Sequence, residues 1–349
     1  MTKPTVLFVD DVQVRSTMEI AASDMRKRGF RVEYYPTMGA LGADSGTLSE
    51  ADVLIVSSNH PCTRAIMSGG KRLRSVIFPA SGTETMDFPA ARDLGILVGH
   101  GAYPENAESM AESAIMLTLV SLYDLHRSEW LLRNRQPRPG TLYARMLKGK
   151  TIGLVGFGRI GQAVAARLQN WHASILAYSA SIGSKVLPAG VQAAELDELL
   201  RQSDVVCIVC ALNEQTRGLI DARRLGLMKP TAVLINISRG AIIDEQALYQ
   251  TLRDKRIAKA ALDVYAVEPL PHDSPLRELD NAVLTPHIVG HTLNTIEAGE
   301  KNLIEGILRV LRGEPPPYVR NPEVLEQWRR LWGAKDISRS SGSSNQSTA

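Results

Sequence analysis

The feature that most constrains this 349-residue chain is an alternation of short β-branched runs with longer helix-like stretches, which occurs in two series. It predicts an α/β fold with mainly parallel sheets, because parallel strands need long crossover connections that are usually helical. The predicted strands of the first series are Val6–Val9, Arg31–Tyr35, Val53–Val56, Arg74–Phe78 and Ile96–Val98. Those of the second are Thr151–Val155, Ile175–Tyr178, Val205–Val209, Ala232–Ile237, Ala260–Val264 and Val283–Thr285.

Two long helix-like segments accompany these series and are predicted to cross between two domains. The first, from Pro104 to Leu125, is apolar almost all round in its middle, as is typical of a helix buried between layers. The second, from Thr292 to Arg312, repeats its apolar residues near a 3.6 period and ends at Gly313. We therefore predict two domains joined by two crossing helices.

The order of these segments places the domain boundaries. A first domain is expected to contain residues 1–118 plus 292–333, and a second residues 119–291. Residues 133–149, rich in Arg, Pro and Gly, are expected to form an irregular arm. Residues 334–349 are expected to be disordered, because this serine-rich tail has nothing to bury.

Composition excludes several classes of protein. Lys and Arg total 40 against 37 Asp and Glu, so the net charge of +3 does not indicate a nucleic-acid partner. Three cysteines make no disulfide framework and suit a reducing compartment. No apolar run approaches the roughly 18 residues that cross a bilayer. We expect a cytoplasmic protein with no membrane partner and no metal site.

A glycine-rich loop gives the first functional signal. It has the pattern G-x-G-x-x-G and comprises Gly156, Phe157, Gly158, Arg159, Ile160 and Gly161. The loop follows a predicted strand and opens a predicted helix, where its glycines would permit a tight turn and close approach to a pyrophosphate. The free N–H groups of the helix N-terminus would face the phosphates. We predict a dinucleotide site.

The second half of this fingerprint departs from the usual NAD pattern. An acidic residue about 20 positions on would bind the ribose 2′-hydroxyl, but no Asp or Glu occurs in residues 157–194. Ser179, Ser181 and Lys185 could instead bind a 2′-phosphate, although no arginine stands in that loop. The cofactor prediction is therefore NAD or NADP, with no preference assigned.

Three polar segments follow later strands of the second series. They contain Arg239, Glu268 and His287. In open α/β sheets ligands bind beyond the carboxyl ends of the strands, so these side chains are expected to converge. Together they supply an anion binder, a carboxylate and a proton carrier.

With these segments the sequence resembles the D-isomer-specific 2-hydroxyacid dehydrogenase family, the relatives of phosphoglycerate dehydrogenase and glyoxylate/hydroxypyruvate reductase. The resemblance covers nearly the whole chain before the tail. Its further motifs are Asn106–Glu112, Thr216–Ile220 and Arg239–Asp244. It implies two Rossmann-like doubly wound domains and a homodimer.

The resemblance also implies a chemistry. A hydride would move between NAD(P)(H) and the 2-carbon of a small 2-keto or 2-hydroxy acid. His287 would donate a proton to the keto oxygen, as suits a histidine with its ordinary pKa near 6.5. Glu268 would orient His287 and favour its charged form, and Arg239 would hold the substrate carboxylate bidentately.

Further residues receive roles only from the resemblance. Thr216 and Asp263 would contact the cofactor, Asp263 at its nicotinamide end. Backbone N–H groups of Ser81, Gly82 and Thr83 would receive the substrate carboxylate. Two departures from the family bear on these roles. Val209 and Ala211 replace a His and a Pro, and the loop at residues 79–84 lacks the usual glycine–valine-rich pattern.

Other readings of single residues remain open. His287 could be a satisfied core histidine, Arg239 a loop ion-pair partner and Glu268 a surface acid. His291, four residues after His287 near a helix start, could be a second proton carrier or a capping residue. Cys207 and Cys210 form C-x-x-C inside an apolar strand, where two core cysteines are expected rather than a redox pair.

The leading function is an NAD(P)-dependent D-2-hydroxyacid dehydrogenase or 2-ketoacid reductase, acting on the CH–OH group of its donor. One alternative is a dehydrogenase of another small anion such as phosphite. The other is an NAD(P)-sensing binding protein, because the family includes a transcriptional co-repressor with this fold and triad. The particular acid, the physiological direction and the pathway stay open.

Overall fold

The structure is a computed structural model, which describes residues 3–141, 143–184 and 186–333. The predicted disordered tail, residues 334–349, lies outside the described residues, as does Lys185. Among the described residues, no helix has both the length and the apolar character that spanning a membrane requires.

Contacts group the described chain into two compact units. The first contains the chain up to Tyr103 and from Ile296 onward, and the second contains Pro104–Thr295. The long helix that begins at Pro104 falls wholly in the second unit, whereas the sequence analysis divides the chain at residue 118. The chain thus passes between units just before this helix and again in the first turn of the other crossing helix.

The first unit contains one parallel sheet with the strand order β2-β1-β3-β4-β5. Its strands are β1 (Thr5–Val9), β2 (Arg31–Tyr35), β3 (Val53–Ile55), β4 (Ser75–Phe78) and β5 (Leu97–His100). Its helices up to that point are α1 (Arg15–Lys27), α2 (Met38–Ala43), α3 (Ser45–Ser49), α4 (Arg64–Gly69) and α5 (Phe88–Leu94). Both faces of the sheet are covered, because alternate residues of β1 join two different apolar clusters.

The second unit contains a larger parallel sheet with the strand order β12-β11-β10-β9-β6-β7-β8. Its strands are β6 (Thr151–Val155), β7 (Ser174–Tyr178), β8 (Val191–Ala193), β9 (Val205–Ile208), β10 (Val233–Asn236), β11 (Lys259–Leu262) and β12 (Ala282–Leu284). Its helices are α6 (Pro104–Leu122), α7 (Leu125–Arg133), α8 (Arg159–Leu168), α9 (Leu196–Gln202), α10 (Ala222–Leu225) and α11 (Glu245–Arg253). The chain then continues into α12 (Leu293–Leu311) and α13 (Leu325–Trp332).

The predicted α/β fold with parallel sheets is confirmed, since every described strand pair is parallel. The order of the larger sheet reverses at β6, so a crevice opens beyond the carboxyl ends of β6 and β9. The glycine-rich loop directly follows β6 and therefore lies at this reversal.

Two elements differ from the sequence prediction. The edge strand β8 is only three residues long and has no alternating pattern that could reveal it. The helix predicted to reach Leu125 ends at Leu122, and α7 begins at Leu125. The chain turns at Asp124, which has a left-handed φ of 53° and a carboxylate that pairs with Lys259.

Candidate active site

The glycine-rich loop joins β6 to α8, and two of its glycines are required by close packing. Gly156 has a φ of 113°, and a Cβ there would lie 2.5 Å from the backbone nitrogen of Cys210. A Cβ on Gly161 would lie 2.4 Å from the Gly156 carbonyl oxygen. No atom lies within 4 Å of a Cβ built on Gly158. The loop therefore presents an unobstructed backbone at its middle glycine, which fits the pyrophosphate of a dinucleotide.

A cavity of about 300 Å³ opens beside this loop in the second unit. Predicted cofactor residues that line it are Gly156, Phe157, Gly158, Ser179, Ser181 and Thr216. Arg159 and Ile160 instead occupy the first turn of α8, where Arg159 is exposed and Ile160 packs on the core. Asp263, another predicted cofactor residue, is not among the lining residues and is 1% exposed.

The end of β7 supplies the part of the cavity where a ribose would lie. The hydroxyl oxygens of Ser179 and Ser181 are 3.3 Å apart, and the Ser181 N–H lies 3.4 Å from the Ser179 Oγ. The sequence places no carboxylate in this loop. The described residues at this position therefore offer neutral hydroxyl groups.

The opposite wall of the cavity comes from the segment after β9. The Thr216 hydroxyl donates to the Ala211 carbonyl at 2.7 Å, which closes a compact loop. Cys207 lies within β9 and is buried, as predicted, but Cys210 lies beyond the strand end and lines the cavity. Cys210 is only partly buried, because the strand ends two residues before it, but it packs against the apolar core and both cysteines are free. Burial raises the pKa of the Cys210 thiol to about 11.

His287 and Glu268 form a close pair beyond the carboxyl ends of β11 and β12. His287 Nδ1 lies 2.6 Å from Glu268 Oε2, and both side chains are about one quarter exposed. The other carboxylate oxygen accepts the Tyr265 N–H at 3.1 Å. Burial acts to raise the pKa of Glu268, but the His287 hydrogen bond, the charges of His287 and Arg239 and the Tyr265 hydrogen bond outweigh it, so the pKa lies below its ordinary value.

Arg239 is held by the turn that follows β10. Its Nη1 donates to the Ser238 carbonyl at 2.7 Å. The fully buried Asn236 side chain donates to the Arg239 carbonyl at 3.0 Å and accepts the Ser238 N–H at 3.1 Å. The next residue, Gly240, packs tightly against the loop that leads to Glu268. A Cβ built on Gly240 would lie 1.9 Å from the Tyr265 carbonyl carbon.

The backbone around His287 is unusual and is held by Asp263. His287 has a φ of 54°, a left-handed conformation that few non-glycine residues adopt. Asp263 Oδ1 accepts the Thr285 hydroxyl at 2.7 Å and the Ile288 N–H at 3.0 Å. Burial raises the pKa of Asp263, although these hydrogen bonds oppose the shift. In this structure the contacts of Asp263 are therefore made with the His287 segment.

The predicted second histidine lies outside a helix. His291 is exposed in the loop that precedes α12, which begins at Leu293. A shared helical face with His287 is therefore not formed. Although His291 is exposed at the surface, the protein atoms around its ring partly desolvate it and lower its pKa, and the charge of His287 acts in the same direction.

The predicted substrate loop belongs to the first unit and follows β4. Ser81 is partly buried there, while Gly82 and Thr83 are buried. The Thr83 hydroxyl accepts from Arg320 Nε at 3.3 Å. Glu84, the acid that the sequence places next to this loop, is exposed. The loop thus sits at the carboxyl edge of its own sheet.

Some site residues were not singled out from the sequence. Asn236 lies in the same polar segment as Arg239, and Tyr265 in the same segment as Glu268. Their roles depend on hydrogen bonds that the sequence does not reveal. The sequence signal that could have identified Asn236 is a polar residue at the end of an apolar strand. Ser109 and Ser113, on α6, contact the segment after His287 from far away in sequence.

Comparison with known proteins agrees with this architecture. Residues 115–289 match the family described as D-isomer specific 2-hydroxyacid dehydrogenase, NAD binding domain. The glyoxylate reductase of Thermofilum pendens is 36% identical over 288 residues, which cover 80% of this chain and 84% of that protein.

Two solved structures are similar over most of the chain. The TT0316 protein of Thermus thermophilus has a TM-score of 0.79 and 31% identity, covering 90% of this chain and 99% of that one. An acyclic imino acid reductase in complex with NADPH and D-Arg has a TM-score of 0.78 and 27% identity, with the same coverages of 90% and 99%.

The parallel sheets and the glycine-rich cleft are those of a dinucleotide-binding protein. More particularly, the chain belongs to the D-isomer specific 2-hydroxyacid dehydrogenase family. It is an enzyme that transfers a hydride between NAD or NADP and a small 2-keto or 2-hydroxy acid.

Proposed function

We propose that Arg239, Glu268 and His287 are the catalytic residues of this enzyme. The observation that carries the proposal is the 2.6 Å contact between His287 Nδ1 and Glu268 Oε2, with the charge of Arg239 acting on the same carboxylate. A proton carrier, a carboxylate and an anion binder therefore occupy one cluster. The resemblance of the chain assigns the same three roles.

The proton step follows from the pairing of His287. Because the carboxylate of Glu268 accepts the Nδ1 proton, proton transfer to and from the substrate is assigned to Nε2. During reduction Nε2 donates a proton to the keto oxygen, and during oxidation it accepts the proton of the hydroxyl. Glu268, ionised because its pKa is lowered, keeps the ring oriented and stabilises the imidazolium.

Substrate binding is assigned to Arg239. The guanidinium pairs with the substrate carboxylate, for which its planar donors are suited, and polarises the keto oxygen. We further propose that N–H groups of Ser81, Gly82 and Thr83 receive the carboxylate. The support for this role is the resemblance and the position of the loop at a strand end.

The cofactor is assigned to the cavity beside the glycine-rich loop. Gly156–Gly161 and the first turn of α8 would hold the pyrophosphate, and the nicotinamide would supply the hydride acceptor or donor. The residues fit, since Gly158 leaves the backbone open and no carboxylate stands at Ser179 or Ser181. We propose that NADP is tolerated, and a tenfold preference for NAD in kcat/KM would contradict this.

The substrate is proposed to be a short 2-keto acid, and glyoxylate is the first to test because relatives such as that of Thermofilum pendens are glyoxylate reductases. The experiment measures NADH and NADPH oxidation with glyoxylate, hydroxypyruvate, pyruvate and phenylpyruvate. Turnover of at least one acid is expected. Cofactor binding without turnover of any acid would instead favour the dinucleotide-sensing alternative.

A homodimer is proposed for the second unit. An apolar cavity of about 800 Å³ is lined by side chains of α6 and α7 together with Trp171, and Tyr123 and Leu125 there are 50% and 58% exposed. Apolar patches of this kind on a folded protein commonly mark interfaces. Sedimentation of the wild type and of Leu125→Glu is expected to show a dimer and a monomer. A wild-type monomer would contradict the assignment.

A cytoplasmic location is proposed as well. The described cysteines Cys62, Cys207 and Cys210 are all free, as is usual in a reducing compartment. Fractionation of the source cells tests the location, and recovery of the protein outside the cytoplasmic fraction would contradict it.

A further inference from the structure

Three buried hydroxyl groups converge on the backbone just after His287. Ser109 Oγ and Thr295 Oγ1 each donate to the Gly290 carbonyl at 3.0 Å. Ser113 Oγ donates to the Val289 carbonyl at 2.6 Å. Each of the three hydroxyl-bearing residues is 5% exposed. Two successive turns of α6 and the first turn of α12 thus bind one short segment.

These contacts differ from those of the other buried hydroxyls on α6. Thr118 and Ser121 donate to the carbonyls of Ala114 and Leu117, four residues earlier in their own helix. That is the usual arrangement of a buried hydroxyl within a helix. Ser109 and Ser113 lie one turn apart on a single face, and both reach across to the His287 segment. The Ser113 hydroxyl also lies 2.8 Å from the Ser109 carbonyl of its own helix, but its shorter contact, at 2.6 Å, is with the Val289 carbonyl.

The segment they hold contains the strained residue of the site. His287 has a φ of 54°, and such a backbone persists only where the surroundings fix it. Asp263 holds the N–H groups of Ile288 and Val289, while the hydroxyls hold the carbonyls of Val289 and Gly290. Donors and acceptors of the same short stretch are therefore both engaged.

Helix α6 also approaches this segment closely. A Cβ built on Gly290 would lie 2.3 Å from the sulfur of Met110. Met110 stands next to Ser109, so the same turn of α6 supplies a steric contact and a hydrogen bond. Ser109 and Met110 both belong to the segment Asn106–Glu112, one of the motifs of the resemblance. The proposed catalytic mechanism gives this segment no role.

We infer that Ser109, Ser113 and Thr295 are positioning residues for His287. By fixing the carbonyls of Val289 and Gly290 they keep the imidazole against Glu268 and aim Nε2 at the substrate oxygen. The inference rests on the proposed catalytic role of His287. Loss of the hydroxyls is expected to slow proton transfer and to leave cofactor binding, which is assigned to the glycine-rich loop, almost unchanged.

The test compares Ser109→Ala/Ser113→Ala with Ser121→Ala in the full-length protein. Ser121 is a matched control because it is a buried serine of the same helix whose hydroxyl bonds only within α6. The double variant is expected to lower kcat by about tenfold to a hundredfold, while the Kd of NAD(P)H changes by less than about twofold. The Ser121→Ala control should keep kcat within about twofold of the wild-type value, even if its Tm falls.

Rescue and a catalytic knockout complete the design. Ser113→Thr keeps the hydroxyl and is expected to retain most of kcat, unlike Ser113→Ala. An unchanged kcat in the double variant, or an equal loss in Ser121→Ala, overturns the inference while leaving the proposed function intact if His287→Ala is inactive. Normal turnover in His287→Ala overturns the catalytic role of His287, and the positioning inference with it.

Discussion

The cofactor cleft and the His287 cluster are built in different ways, although both lie at the carboxyl edge of one sheet. The cleft is made by the absence of side chains: Gly156 and Gly161 pack so closely that no Cβ fits. The cluster is made by side chains that bind backbone from several loops, as Asn236 and Asp263 do. The first can be recognised from local spacing, whereas the second depends on contacts between remote segments.

Arg239→Lys is expected to have the largest effect that separates the His287 cluster from the cofactor cleft. Lysine keeps the charge but lacks the planar pair of donors, so bidentate binding of the substrate carboxylate is lost. We expect kcat/KM for the keto acid to fall by about a hundredfold to a thousandfold, with an unchanged Kd for NAD(P)H. Steady-state kinetics and cofactor fluorescence measure the two quantities. A loss of cofactor affinity as large as the loss of kcat/KM would count against the assignment.

The complementary substitution is Gly161→Ala in the cleft. Its Cβ would lie 2.4 Å from the Gly156 carbonyl, so the loop must shift at a cost of about 1–3 kcal/mol. We expect the Kd of NAD(P)H to rise about tenfold or more and Tm to fall. Gly140→Ala is the control, because no atom lies within 4 Å of a Cβ there and Gly140 does not line the cofactor cavity. An equal effect of both variants would show that steric packing is not the cause.

These two sites show how far the sequence leads. The glycine pattern, the strand series and the three polar segments predict the sheets and bring Glu268 and His287 together, because strand ends of a parallel sheet share an edge. The partners of those segments were not predictable. Asp263, which the resemblance places at the cofactor, binds the Thr285 hydroxyl and the Ile288 N–H, and the sequence does not reveal these two contacts. The spacing of residues along the chain does not predict which backbone groups of another loop a side chain will bind.

A smaller effect is expected at Asn236, which belongs to the cluster alone. Asn236→Ala leaves the Ser238 N–H and the Arg239 carbonyl without their partner, at a cost of about 1–3 kcal/mol. The KM of the keto acid should rise more than the Kd of the cofactor. Asn281→Ala removes another buried amide, one that binds Leu252 and Ala258, and should lower stability without raising KM. Parallel changes in both variants would argue against a role in holding Arg239.

The pH dependence of the free energy of unfolding tests the His287 cluster through the carboxylate of Glu268, and its effect is expected to be smaller. The pKa of Glu268 lies below its ordinary value of 4.5, so the ionised carboxylate stabilises the folded state above that value. This contribution is lost as pH falls through the lowered folded pKa. Urea unfolding should therefore show wild type more stable than Glu268→Gln at pH 6, with the difference shrinking below pH 4. A difference independent of pH would contradict the lowered pKa.

The smallest expected effect concerns Cys210 in the cleft wall. Because burial raises the pKa of its thiol to about 11, little thiolate exists at pH 7.5 and alkylation by iodoacetamide should be slow. NAD(P)H should slow it further, since Cys210 lines the proposed cofactor cavity. Mass spectrometry of the modified peptide measures the rate. Fast labelling that the cofactor does not affect would place Cys210 outside the binding site.

His287, held by Glu268, is proposed to transfer the proton of a hydride reaction on a 2-keto acid. The most direct measurement is NAD(P)H oxidation by wild type and His287→Ala, with glyoxylate as substrate and with cofactor binding measured on the same samples. We predict turnover by wild type, a loss of about a thousandfold or more in the variant, and equal cofactor affinity. Near-normal turnover by His287→Ala with intact cofactor binding would contradict the account.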